Sequence, residues 1–186
     1  KIKMKKFELT SEFVTFLGKK LFRIKALISF GNVEEGELGG YVEKEENLSN
    51  DGNAWVYGNA RVFGNARVYG NARVFGDAWV YGNAWVYGNA RVFGNARVYG
   101  NARVYGDAWV YGDADYATVH GFGSEYRTTT FFRTKAGDIG VRCGCFYGTL
   151  EEFRAKVKET HGETKTAKEY LMVADLMEFR FSKEEA

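Results

Sequence analysis

Between residues 52 and 111, apolar and polar positions recur with a period of six, as ten uninterrupted copies of Gly-Asn/Asp-Ala-Arg/Trp-Val-Tyr/Phe. In each copy Ala and Val lie two positions apart around one Arg or Trp. In a strand that spacing sends Ala and Val to one face and the Arg or Trp to the other. The Gly-Asn or Gly-Asp pair then breaks the strand, because these residue types tolerate positive φ at a tight corner. Each copy therefore predicts one short strand and one corner. Strands stacked in parallel about 4.8 Å apart would bury continuous columns of Val and Ala.

Before the array the pattern predicts a hairpin: Phe13-Val-Thr-Phe-Leu, a turn at Gly18-Lys-Lys, then the alternating strand Leu21-Phe-Arg-Ile-Lys-Ala-Leu. Gly31-Asn-Val, Gly36-Glu-Leu-Gly-Gly-Tyr-Val and Asn47-Leu-Ser read as irregular opening strands that cap the rod, since an open solenoid end invites edge-to-edge growth. After Tyr111 the repeat decays through Gly112-Asp-Ala-Asp-Tyr-Ala and Thr118-Val-His-Gly-Phe-Gly. A second hairpin is predicted from residues 126–134 and 139–146, around the turn Lys135-Ala-Gly-Asp. Thr149-Leu-Glu-Glu152 is a capping box that starts a helix with Leu150, Phe153 and Val157 on one stripe and a stop at His161-Gly162. A second helix is expected from about Thr166 to Phe181, with Tyr170, Leu171, Ala174 and Met177 on its buried side. The helices are expected to fold back on the hairpin and close the rod. The chain thus divides into an N-terminal hairpin and cap (1–51), the repeat array (52–117) and a C-terminal hairpin with a helical module (118–186).

Composition adds little pressure toward a particular partner. The net charge is +2, with acids and bases mixed at both ends, so charge alone demands neither nucleic acid nor membrane. The array differs from the whole: it holds six Arg and all four Trp but only two acids, Asp77 and Asp107. The basic start Lys1-Ile-Lys-Met-Lys-Lys is followed by no apolar core of a signal peptide, and no run approaches the ~18 apolar residues of a membrane span. Both cysteines sit in Cys143-Gly-Cys145, too close for a disulfide framework, in keeping with a reducing compartment. A soluble cytoplasmic protein is the expectation.

The unit Val-Tyr-Gly-Asn-Ala-Arg, carried through residues 52–111, resembles the hexapeptide-repeat left-handed β-helix family, in which an aliphatic residue and a small residue four positions later point inward. The resemblance implies a mainly β fold, a left-handed, three-sided parallel β-helix with three hexapeptides per turn. The aromatic after each Val departs from that family, which more often carries a small or acidic residue there. Charge stacking offers a check on turn size. With eighteen residues per turn, Trp55 lies under Arg73, Arg91 under Trp109, Trp79 between Arg61 and Arg97, and Trp85 between Arg67 and Arg103, so that only Arg73 and Arg91 stack like on like. A twelve-residue turn would create two such pairs, Arg61 with Arg73 and Arg91 with Arg103. Three sides are favoured, and ten copies then make about three and a third turns, roughly 16 Å of rod.

The array is also a duplication, since residues 52–81 and 82–111 differ only at Phe75 against Tyr105. Adding five hexapeptides rotates everything downstream by a third of a turn and lifts it by about 8 Å. A site needing fixed register between the two ends would not survive that step, so the array reads as a spacer or platform of adjustable length.

The ends are similar to a group of uncharacterised proteins of bacteriophages, prophages and gut bacteria. The segments that carry the likeness are Leu38-Gly-Gly-Tyr-Val, Asn47-Leu-Ser, Gly121-Phe-Gly-Ser-Glu-Tyr-Arg, Cys143-Gly-Cys-Phe-Tyr-Gly-Thr-Leu-Glu-Glu-Phe and Lys158-Glu-Thr-His-Gly. That likeness implies a phage or mobile-element setting in the cytoplasm of a bacterial host, where small non-enzymatic proteins that block a host defence factor are common.

No catalytic residue, cofactor or metal follows from the sequence. The left-handed β-helix acyltransferases use a His and a loop excursion from the coil; the array has neither, and His120 lies just after it. Cys143, Cys145, His120 and His161 are zinc-competent residue types, and Cys-x-Cys in a strand would put both sulfurs on one side, yet the paired spacing of zinc sites is missing. A binding surface is the stronger expectation. Trp55, Arg61, Arg67, Arg73, Trp79, Trp85, Arg91, Arg97, Arg103 and Trp109 form outward ladders beside Tyr and Phe. Three partners suit that surface: another copy of the chain in a dimer or trimer, a host protein, or nucleic acid whose bases stack on aromatics while phosphates meet Arg. Outside the rod, Ser124, Glu125, Tyr126, Arg127, Arg133 and Arg142 are the non-repeated polar candidates for partner choice.

Overall fold

The computed structural model describes residues 4–182; residues 1–3, the start of the basic N-terminal run, and residues 183–186 lie outside the described residues. The chain opens with the strands β1 (Phe7–Phe16), β2 (Lys19–Ala26) and β3 (Leu38–Val42). Ten two-residue strands follow: β4 (Trp55–Val56), β5 (Arg61–Val62), β6 (Arg67–Val68), β7 (Arg73–Val74), β8 (Trp79–Val80), β9 (Trp85–Val86), β10 (Arg91–Val92), β11 (Arg97–Val98), β12 (Arg103–Val104) and β13 (Trp109–Val110). The C-terminal part holds β14 (Tyr116–Val119), β15 (Thr129–Arg133), β16 (Ile139–Cys143), β17 (Phe146–Thr149), α1 (Leu150–His161) and α2 (Lys165–Phe181).

The short strands pair in parallel with partners eighteen residues on, Trp55 with Arg73, Arg61 with Trp79 and Arg67 with Trp85. Three sheets result: β3-β5-β8-β11 on the first side, β4-β7-β10-β13 on the second and β6-β9-β12 on the third. The rod is a three-sided β-solenoid of about four turns, because β3 beside β5 and a bridge from Leu48 to Val68 add strands below the array. Every Ala and Val from Ala54 to Val110 within the array is at most 1% exposed. Each buried Val contributes about 1.5–3 kcal/mol.

At the corners the left-handed φ falls on Gly alone, +69° at Gly52 for example, where a Cβ would stand 2.4 Å from the Gly70 carbonyl oxygen. The Asn residues do other work than the sequence predicts for them. They form amide ladders up two edges, Asn53 to Asn71 to Asn89 at 3.3 and 3.2 Å, and Asn65 to Asn83 to Asn101 at 3.2 and 3.4 Å. The aromatics after Val also stack on themselves, as in Tyr57–Phe75–Phe93–Tyr111 with ring centroids 4.6, 5.1 and 4.5 Å apart.

The ends close the rod by different means. Phe7, Ile24 and Ala26 of the first hairpin are buried in the same core as the lower Val and Ala columns. The hairpin turn is Leu17-Gly18, both at positive φ, so Lys19 and Lys20 belong to β2 rather than to the predicted turn. In the body of the rod the Ala carbonyls and most of the Gly carbonyls accept from an amide of the coil before, as Gly70 does from Asn53 and Ala72 from Trp55. Below the first coil only part of that neighbour exists: the Tyr41 amide reaches the Ala60 carbonyl, but at Gly52, Ala54, Gly64 and Ala66 side chains take its place. Lys6 Nζ donates to the carbonyls of Ala54 at 2.9 Å and Gly52 at 3.4 Å, and Asn47 Nδ2 donates to those of Ala66 at 2.9 Å and Gly64 at 3.1 Å. Burial pulls the Lys6 ammonium down to about 8, against the opposing charge of Asp51.

At the upper end acceptors meet the last amides: Asp113 Oδ1 takes the Arg97 N–H at 2.7 Å and Thr130 Oγ1 the Arg103 N–H at 2.9 Å. The C-terminal strands form a four-stranded antiparallel sheet, β14-β15-β16-β17, rather than the expected hairpin. Residues read as decaying repeat supply β14, and the 117/118 boundary falls inside it. Adjacent residues of β15 face opposite ways: Phe132 is buried with the rod core and Phe131 with the helices. The sheet therefore closes the rod, and the helices, expected to do so, pack on its far side. The Thr149 capping box forms as predicted, and Thr164 caps α2 one residue before its start at Lys165. Tyr170, Ala174 and Met177 are buried as expected, joined by Ala167, Val173 and Phe181, while Leu171 is only partly covered.

Candidate functional site

A repeat with interchangeable walls acquires distinct sides because its two ends cover them unequally. On the second side the expected outward Trp55 is wholly buried, with Phe7 and Phe30 rings at 6.3 and 5.4 Å. It does leave the coil on the outer face, but the N-terminal segment lies over it, so it is no part of the surface. Above it Arg73 and Arg91 are paired like on like, and Trp109 lies 5.3 Å from the Arg91 guanidinium and 5.8 Å from Lys135 Nζ. On the first side Phe16, near the hairpin tip, sits 4.3 Å from Arg61 and 4.5 Å from Trp79, leaving Arg97 the exposed member of that ladder.

The third side, Arg67-Trp85-Arg103, is flanked rather than covered. Two clefts lie along it and share Tyr69 and Trp85. The lower one, about 630 Å³, is bounded by Glu45, Glu46 and Asn50 from the N-terminal segment. The upper one, about 440 Å³, is bounded by Arg127, Thr128, Arg142 and Gly144 from the C-terminal module. Between them the ladder stacks cation on ring, with the Arg67 and Arg103 guanidiniums 6.0 and 3.7 Å from Trp85. Such contacts contribute about 0.5–1 kcal/mol each when exposed. Burial pushes the Tyr69 hydroxyl up to about 12, helped by Tyr87 and opposed by the Arg103 and Arg142 charges.

The non-repeated candidates separate in the same way. Arg127 and Arg142 come together with Arg103 at the upper cleft. Ser124, Glu125 and Tyr126 are exposed in the segment before β15, with Glu125 3.5 Å from Arg127. Arg133 does not join them. It holds the fold instead, paired with Asp115 at 3.2 Å and donating to the Phe181 carbonyl at 2.8 Å.

The zinc-competent residues are scattered among other contacts. His120 Nδ1 lies 3.1 Å from Thr128 Oγ1, and the His161 ring lies 5.8 Å from that of Tyr170. Cys143 accepts from Thr129 Oγ1 at 3.2 Å. The expectation that both sulfurs share one side of a strand fails, because β16 ends at Cys143 and Gly144 turns the chain at φ +57°, leaving Cys145 in the turn. Among the described residues no group of three or more His, Cys, Asp or Glu is placed to hold a metal ion. Nor is any helix among them long and apolar enough to cross a membrane.

Glu45, Glu46 and Asn50 wall a cleft that the sequence does not show, since nothing in their local pattern marks which side of the rod they border. The aromatic after each Val was the one legible signal for Tyr69 and Tyr87, but it is the same in every copy.

In comparisons with known proteins, the array matches the YdcK beta solenoid repeat, over residues 54–68, 66–82, 84–98 and 96–112. The match is to the repeat and leaves both end modules outside it. No curated protein matches the chain.

Proposed function

We propose that this chain is a non-catalytic binding protein whose third side docks a macromolecule, with the remaining walls serving as scaffold. The observation that carries this reading is the asymmetry of covering. The same Arg/Trp ladder is built on three sides; among the described residues the third side carries two clefts bounded by unique residues, one set from each end module, whereas the cleft on the first side is lined by repeat residues alone. Repetition supplies flat, rigid spacing, and the ends supply specificity. The likeness of the ends to phage and prophage proteins supports a host macromolecule as the partner and the blocking of a host defence factor as the outcome. Self-association belongs to the same reading and is supported by α2, which turns Met172, Leu176 and Phe179 to solvent along one stripe, at 71, 57 and 77% exposure.

Affinity capture from a bacterial lysate, with and without nuclease, tests the proposal. The native chain should retain a defined partner, Arg67→Glu/Arg103→Glu should lose it, and Arg97→Glu on the first side should keep it. Equal capture by all three proteins would refute a third-side dock. Turnover of acetyl-CoA with amine acceptors would refute the non-catalytic assignment.

A further inference from the structure

Helix α2 is apolar on two faces although it has neighbours on only one. A helix packed on a single layer needs one apolar stripe. In α2 that stripe is Ala167, Tyr170, Ala174, Met177 and Phe181, buried with Phe131 and Val141 of the sheet and Phe153 and Val157 of α1. Met172, Leu176 and Phe179 form a second stripe, at the i, i+4, i+7 spacing of a seam between helices, and they are exposed. It runs about 10 Å along the helix. Exposed apolar side chains scattered singly are ordinary, whereas several in line on one helix mark a contact surface.

The charges beside the seam distinguish its possible occupants. On one flank Asp175 and Glu178 are both taken by Arg154 of α1, at 2.7 and 2.8 Å. On the other flank stand Glu169 and Arg180, eleven residues and about three turns apart, so that both lie on the same face. Among the described residues neither has an ion-pair partner in its own chain. In an antiparallel, two-fold pairing of α2 with a second copy, each flank stays on its own side and its direction is reversed. With Met172 set against Phe179 of the second copy, Leu176 lies near the axis, and Glu169 falls within two residues, about 3 Å, of the second copy's Arg180. A parallel pairing would instead set Glu169 against Glu169 and Arg180 against Arg180.

We propose that α2 docks on a second copy of this chain, in an antiparallel contact through Met172, Leu176 and Phe179 with Glu169 of each copy facing Arg180 of the other. Such a contact is isologous and closes on itself, so it makes a dimer and not a filament. One helix face is smaller than the ~800 Å² per partner of a standard interface, so the pair forms reversibly at micromolar concentration. No residue of α2 lines the third-side clefts, and the dimer therefore presents two docks at once. A partner that repeats its own epitope is then held by both. The inference rests on the self-association included in the proposed function and assigns it to one helix.

Sedimentation velocity of the full chain, from low to high micromolar concentration, measures the equilibrium between monomer and dimer. The native chain should dimerise reversibly. Leu176→Glu, on an exposed face, should keep the native circular dichroism and weaken dimerisation about a hundredfold or more. Glu169→Arg sets like charges against Arg180 twice in each dimer and should weaken it about three- to tenfold, while Glu169→Arg/Arg180→Glu should restore the native affinity. That rescue keeps the test decisive even if Leu176→Glu disturbs the helix. A dimer that survives Leu176→Glu would overturn the α2 contact and leave self-association to another surface. A dimer indifferent to Glu169→Arg would overturn the antiparallel arrangement. A chain that stays monomeric throughout overturns both the inference and self-association; if it then binds phosphatidylglycerol vesicles and Leu176→Glu does not, the stripe is a membrane face instead. In each case the third-side dock stands or falls separately, on capture by Arg67→Glu/Arg103→Glu.

Discussion

Replacing Asn47 by Leu isolates the end-capping chemistry from the repeat itself. Asn47 is wholly buried; its Nδ2 donates to the Gly64 and Ala66 carbonyls at 3.1 and 2.9 Å, and its Oδ1 accepts from the Lys44 N–H at 3.0 Å. Leucine fills much the same space and makes none of these bonds. At about 1 kcal/mol net for each bond, the substitution should cost about 3 kcal/mol, and more if the Ala66 carbonyl stays dry and unpaired. For a chain of this size that corresponds to a melting temperature lower by about 6–12 °C. Asn83→Leu is the matched control. Asn83 is in an exposed ladder, accepting from Asn65 at 3.2 Å and donating to Asn101 at 3.4 Å, and its loss should cost no more than about 0.5 kcal/mol. Thermal unfolding followed by circular dichroism compares the two, and hydrogen exchange should show the coil around Gly64 and Ala66 fraying first in the Asn47 variant. Equal melting temperatures for the two variants would refute the claim that side chains replace the missing part of the coil below.

Trp55→Ala should cost about 3–5 kcal/mol, as expected for a buried aromatic, whereas the chemically identical Trp85→Ala on the third side should cost about 1 kcal/mol in calorimetry. Equal losses would mean that the N-terminal segment does not cover the second side. Stability should also depend on alkaline pH in two opposite ways. Lys6 is lowered from 10.5 to about 8, so its buried charge is a penalty below pH 8 that lifts as the pH climbs toward 10.5, and Lys6→Met should abolish that rise. Burial raises Tyr69 and Tyr170 from 10.0 to about 12 and Tyr116 further still, so their contribution is complete below pH 10 and is lost as the pH rises from there. Urea unfolding between pH 7 and 12 should therefore show a maximum near pH 9–10; a steady decline from pH 7 would contradict the Lys6 assignment.

The rod was legible because its signal is repeated. Ala and Val at fixed spacing specify the inner face ten times over, and the pairing of Trp79 with both Arg61 and Arg97 follows from one number, the eighteen residues of a turn. The corner was read only in part. Gly and Asn were assigned one shared task, yet Gly takes the left-handed backbone while Asn builds an edge ladder that needs the neighbouring coil to exist. The end caps carried no local signal at all. Lys6 lies 48 residues from Ala54, and only the closed fold tells its ammonium from that of any exposed lysine. The same holds for the site. Arg127 and Arg142 were singled out because they are not repeated, whereas their meeting with Arg103 depends on which side of the rod the C-terminal sheet settles. Arg133, equally unrepeated, is spent on Asp115 and the end of α2.

Hydroxyl-radical footprinting of the chain with and without its captured partner tests the central claim most directly, because the outward aromatics are themselves the reactive groups. Tyr69, Trp85, Tyr87 and Tyr105 should lose reactivity together, a footprint that recurs every eighteen residues along the chain, while Trp79, Tyr99, Trp109 and Tyr111 on the other sides keep theirs. Protection repeating every six residues, or confined to the two helices, would show that the third side is not where the partner sits.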